Sequence, residues 1–143
     1  TLLAQDAEIT IENVGINPTR IGVLKILEAM GADIEVRNRR SSGDEPVADL
    51  RVRSTQLNGC AVDPDLVSLA IDEFPALFVA AAAAAGTTTF TGLAELRVKE
   101  SDRIAAMANG LQRLGIEVRE TPDGVALLRH VVFSQNLVVQ TKN

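Results

Sequence analysis

Between Thr19 and Arg40, and again between Asp102 and Gly124, apolar residues recur at three- and four-residue spacing, stop at a glycine, and give way to an apolar–charged alternation. The two stretches, "TRIGVLKILEAMGADIEVRNRR" and "DRIAAMANGLQRLGIEVRETPDG", share an Arg-Ile start, a glycine (Gly31, Gly115) and the string Ile-Glu-Val-Arg at 34–37 and 116–119. The spacing predicts an amphipathic helix, a glycine stop and a half-buried strand, written twice. In the first copy Asn17 is placed to cap the helix, with Pro18 at its first position. Strand candidates flank both copies at 8–14, 49–54, 86–93, 124–129 and 130–140.

A further helix fits "DEFPALFVAAAAAA" at 72–85, whose alanines allow close approach of a neighbouring element. The stretch 41–48, "SSGDEPVA", carries turn residues and is expected to be a loop. Strand, helix, strand, strand, with a helix between the copies, predicts an α/β chain of about two related units rather than a bundle or a sandwich.

Composition narrows the picture. With 46% hydrophobic residues in 143 the chain can build a core, and with four Phe, no Tyr and no Trp that core is expected to be aliphatic. The net charge of −5 and the scarcity of aromatics argue against a nucleic acid as partner. One cysteine, Cys60, excludes an internal disulfide, and one Cys with one His, His130, makes a zinc site of those residues unexpected. The longest apolar run, Ala76 to Ala85, is too short to span a bilayer, and "TLLAQDAEIT" lacks the features of a secretory leader. A reducing, cytoplasmic setting and no membrane partner are the expectation.

The densest chemistry lies in "LRVKESDRIAAM", 96–107, where Arg97, Lys99, Glu100, Asp102 and Arg103 crowd a helix start. Two readings stand. Acids cap the first turn and Glu100 pairs with Arg103; or a helix start, with its free N–H groups and positive end, holds an anion. Lys99 and Arg103, four apart, are expected on one helix face. Asp72 raises the same choice between N-cap and general base. Asn17-Pro18-Thr19-Arg20 reads as a cap, His130 as structural, and Cys60 as an ordinary thiol beside a turn.

The strings "NPTRIGVLKILEAMGADIEV", "VADLRVRSTQLNG" and "IDEFPALFVAAAAAAGTTTFTGLAELRVKESDRIAAMANGLQRLGIEV" resemble the 5-enolpyruvylshikimate-3-phosphate synthase family, also called 3-phosphoshikimate 1-carboxyvinyltransferase. The likeness runs from about residue 8 to residue 129. It implies repeated βαβαββ units of the enolpyruvyl transferase type, an inside-out α/β barrel that is incomplete here. It also implies transfer of enolpyruvyl from phosphoenolpyruvate to the 5-hydroxyl of shikimate 3-phosphate, the sixth step of the shikimate pathway, with no metal and no organic cofactor.

Carried over by motif, the resemblance makes Asp72 the proton acceptor and a ligand of the shikimate hydroxyls. It makes Lys99 a shikimate-3-phosphate contact, Glu100 the proton donor and Arg103 a phosphoenolpyruvate ligand. The chemistry suits these types: one carboxyl takes the hydroxyl proton while the other supplies a proton to the enol methylene, and Arg geometry suits carboxylate and phosphate.

The family's other substrate motifs are absent, and "HVVFSQNLVVQTKN", 130–143, departs from the family pattern. The expected organisation is therefore a partial transferase domain at 1–129 and a non-family tail at 130–143. Two functions follow from this. Either the chain is a fragment of the synthase, inactive until the missing part is supplied, or it is an independently folded non-catalytic domain that self-associates, most simply as a homodimer.

Overall fold

The computed structural model describes residues 2–99 and 101–129. Glu100, His130 and the strand candidate at 130–140 lie outside the described residues.

The first sheet contains β1 (Glu8–Gly15), β2 (Asp33–Ser42) and β3 (Glu45–Arg53), with β3 in the middle and antiparallel to both neighbours. Helix α1 (Gly22–Ala29) connects β1 to β2. It starts later than the sequence suggests. Asn17 Oδ1 accepts from the N–H and hydroxyl of Thr19, at 3.0 and 2.8 Å, and so caps a separate turn, leaving Ile21 at the helix entry. The stretch 41–48 is not a loop either: Ser42 pairs with Glu45, and only Gly43 and Asp44 turn the chain. Gly43, at φ +62°, takes the first turn position, where two-residue hairpins favour glycine. The alternation of Leu50 and Val52 with Asp49, Arg51 and Arg53 was the better guide there.

The second sheet repeats the first. β4 (Gly86–Phe90), β5 (Glu117–Thr121) and β6 (Gly124–Arg129) lie in the order β4-β6-β5, again antiparallel. Two helices, α3 (Ala94–Arg97) and α4 (Arg103–Arg113), replace the single crossover of the first copy. Before them comes α2 (Phe74–Ala83), shorter at both ends than the predicted 72–85. An extended segment at 57–62 lies parallel to β4, bridging Asn58 to Ala85 and Ala61 to Thr89. Counting that segment as a strand, 57–129 reads βαβαββ and 8–53 reads βαββ. The glycine stops hold: Gly31 and Gly115 lie at φ +85° and +84°.

The core is not wholly aliphatic. Phe74, Phe78 and Phe90 are buried against one another, with ring centroids 5.1–5.9 Å apart, and the aliphatic residues surround them. The Ala-rich side of α2 lets the helix settle close to that cluster. One apolar face stays open. Leu3, Ile9, Ile11 and Val79 line a groove of about 410 Å³ between the first sheet, α1 and α2, and each is more than two-fifths exposed. Leu3 and Val79 also border the adjoining groove of about 660 Å³, next to Leu114.

Candidate functional site

Asp72 sits exposed in the turn 71–73 that leads into α2. It is not the helix cap: Glu73 holds that position, and no side chain bonds the first turn. The turn is held against α1 by a glycine. Gly22 N–H donates to Leu69 O at 3.2 Å, and a Cβ at Gly22 would lie 2.6 Å from the Leu69 carbonyl carbon. Asp72 therefore lines a cavity of about 150 Å³ whose other polar walls are Thr19, Arg20, Ser68 and Glu73.

Lys99 and Arg103 do not share a helix face, because α4 begins at Arg103 and Lys99 lies in the bend before it. The Lys99 ammonium is held by Glu95 at 3.0 Å. Arg103 is half-buried in the first turn of α4. Asp102 caps that turn, its Oδ1 accepting from Ala105 N–H at 2.9 Å. This N–H, and after it the Arg97 guanidinium, holds the Asp102 carboxyl below its ordinary range.

Arg97 is the hub of the cluster. It donates to Asp102 Oδ2 at 2.8 Å, to Thr121 O at 2.6 Å and to Pro122 O at 3.0 Å, and reaches Glu120 at 3.2 Å. Asp102 is thereby fastened, through Arg97, to the β5–β6 hairpin. Sequence reasoning counted Arg97 as one charge among five; a crowded run of charges does not reveal which of them bonds main-chain carbonyls.

A chain of contacts links the turn at Asp72 to the cap of α4 through the second unit. Phe74, two residues after Asp72, packs on Phe90 at 5.6 Å, and Phe90 pairs with Val125. Beyond Val125 lies the 121–124 turn, which holds Arg97 and, through it, the cap of α4. The cavity at Asp72 takes its walls from the α1 side, not from Lys99 or Arg103.

The sequence profile of EPSP synthase (3-phosphoshikimate 1-carboxyvinyltransferase) matches residues 2–142. The chain belongs to the EPSP synthase family. It is 60% identical over 126 residues to the 3-phosphoshikimate 1-carboxyvinyltransferase of Alkalilimnicola ehrlichii, covering 88% of this chain and 28% of that protein. It is 60% identical over 131 residues to that of Halorhodospira halophila, covering 92% of this chain and 30% of that protein. The solved EPSP synthase of Acinetobacter baumannii superposes with a TM-score of 0.86 at 53% identity, over 89% of this chain and 29% of that one. The chain thus spans less than a third of the length of the EPSP synthases it matches.

Cys60 is half-buried, and burial pushes its thiol up from the ordinary value, so it is not an activated thiolate. Among the described residues no helix is long and apolar enough to cross a membrane. The same residues contain no group of three or more His, Cys, Asp or Glu that could hold a metal ion.

Proposed function

We propose that this chain is part of a synthase that transfers enolpyruvyl from phosphoenolpyruvate to the 5-hydroxyl of shikimate 3-phosphate, and that it carries out no transfer alone. The observation behind this is the pairing of 60% identity to two 3-phosphoshikimate 1-carboxyvinyltransferases with coverage of only 28–30% of their length.

Each residue has a task in that reaction. Asp72 takes the proton of the 5-hydroxyl as its oxygen bonds to the enol carbon, and holds neighbouring ring hydroxyls. Glu100 gives a proton to the methylene, which loses one again as phosphate leaves and the enol ether forms. Lys99 exchanges Glu95 for the 3-phosphate, and Arg103 takes the carboxylate or phosphate of phosphoenolpyruvate. These residues come from one side of a cleft, and transfer needs both reactants held in register, which one side does not supply. Purified chain mixed with both substrates is expected to release no phosphate. A robust release rate that disappears in Asp72→Asn would overturn the proposal.

One observation favours a second reading, that of a self-associating non-catalytic domain. Leu3, Ile9, Ile11 and Val79 stand exposed along one continuous apolar face, a pattern typical of surfaces that meet another polypeptide. Light scattering separates the two readings. A two-fold dimer that forms without any other chain supports self-association, and a monomer at high concentration counts against it.

A further inference from the structure

We propose that Arg20 is a substrate-binding residue of the Asp72 site, where its guanidinium takes the anionic group of the hydroxylated substrate whose ring hydroxyls Asp72 holds; this rests on the role proposed for Asp72. The sequence places Arg20 inside a capped helix. The structure places it outside, in the turn before Ile21, where it lines the same cavity of about 150 Å³ as Asp72 and Ser68.

Its side chain has no competing task. Arg20 donates its backbone N–H to Asn17 O at 2.9 Å, and among the described residues its guanidinium makes no bond and no ion pair. Lys25, Arg39 and Arg113 share that lack of a partner, but none of them borders the Asp72 cavity.

Charge suits Arg20 to this role. The cavity wall carries two carboxylates, Asp72 and Glu73, and one cation, Arg20. A ligand bearing phosphate and carboxylate would be repelled by the first two alone. With Arg20 in the same wall, the cavity offers both acceptors for hydroxyls and a planar donor fork for an anion. Thr19 and Ser68 add hydroxyls to the lining. The volume equals that of roughly five liquid-water molecules, which suits one anionic group and a ring edge rather than a whole substrate. Gly22 fixes the spacing, because any side chain there would drive the Asp72 turn away from the Arg20 turn.

The test is an NMR titration of the 143-residue chain with shikimate 3-phosphate, shikimate and inorganic phosphate. Shikimate 3-phosphate is expected to shift resonances at Arg20 and Asp72. Arg20→Gln should weaken that binding about tenfold, as loss of a charge-assisted bond does, and Arg20→Lys should restore part of it. The melting temperature should stay put, because the exposed side chain bonds none of the described residues. Loss of shikimate binding as well in Arg20→Gln would assign the carboxylate to Arg20; loss confined to shikimate 3-phosphate and inorganic phosphate would assign the phosphate. Unchanged affinity in Arg20→Gln beside weakened affinity in Asp72→Asn overturns the role of Arg20 and leaves that of Asp72. No shift at Asp72 with millimolar shikimate 3-phosphate overturns both.

Discussion

Arg97 and Asp102 meet at 2.8 Å, and through that bond the β5–β6 hairpin holds the first turn of α4. Asp102 uses its other oxygen to cap Ala105, so one carboxylate joins the helix start to the Arg97 hub. Cutting the hub should therefore loosen the helix start before it loosens the sheet. In Arg97→Ala the amide of Ala105 is expected to exchange with solvent several-fold faster, while amides of β6 keep their protection. Uniform acceleration across both elements would show that Arg97 supports the whole unit rather than the cap.

Four carboxyls are lowered on folding, those of Asp49, Asp102, Glu8 and Glu35, and Asp49 is lowered furthest. Asp49, nearly buried in the centre of β3, accepts from Arg40 at 2.7 Å, from Asn38 at 2.9 Å and from the Asn13 N–H at 3.0 Å. Asn13 and Asn38 stand at bulges of β1 and β2 with φ of +57° and +50°, so both edges of the sheet bend around this one carboxylate. Arg40 first, then Asn38 and Asn13, hold Asp49 far below its ordinary 3.8, and Asp102 is lowered as well. A carboxylate lowered on folding contributes stability that is complete above the unfolded value and is lost as pH falls through the folded one. Melting temperature should thus be flat near neutrality and fall progressively below about pH 4. Asp49→Asn should melt lower at pH 7 and show a shallower acid decline; an unchanged acid limb in that variant would remove Asp49 from this account.

Thr88 is fully buried in β4, and its hydroxyl has no hydrogen-bond partner among the described residues. A buried hydroxyl without a partner costs about 1–3 kcal/mol in lost hydration. Valine has the same shape without that demand. Thr88→Val is expected to stabilise the chain by about 1 kcal/mol in urea unfolding; destabilisation would mean that the hydroxyl has a partner in solution.

Much of this was legible in the sequence for a physical reason. Helix period, glycine stop and strand alternation are local signals, so both copies of the repeat could be read, down to Gly31 and Gly115. Boundaries were harder. Asn17 looks like a helix cap because an Asx turn and an N-cap use the same side chain. The stretch 41–48 looked like a loop because Ser, Gly, Asp and Pro masked a hairpin whose turn needs only two residues. The phenylalanine cluster was missed because low aromatic content says nothing about where the few rings gather. The roles proposed for Asp72, Lys99, Glu100 and Arg103 rest on family resemblance alone. Spacing put Lys99 and Arg103 on one helix face, and Asp102 prevents that by starting the helix after Lys99. The sequence does not single out Arg20 or Arg97 from their neighbours, since what distinguishes them is a shared cavity and two main-chain carbonyls.

Two glycines make a matched test of how the site is positioned. A methyl group at Gly22 would lie 2.6–2.7 Å from the backbone and Cβ of Leu69, atoms that cannot swing aside. Gly22→Ala must push the 66–72 loop off α1, which should cost about 1–3 kcal/mol as overpacking does. Gly110, in the exposed part of α4, has nothing within 4 Å of its would-be Cβ. Gly110→Ala should gain about 0.5–1 kcal/mol from helix propensity alone. The two variants add the same atoms to the chain, so opposite signs in urea unfolding isolate the close contact at Leu69 as the cause. The Gly22 variant should also shift the Asp72 and Arg20 resonances, while the Gly110 variant leaves them in place. A neutral Gly22→Ala would show that the Asp72 turn is not pressed against α1 in solution, and the cavity at Asp72 would lose its basis.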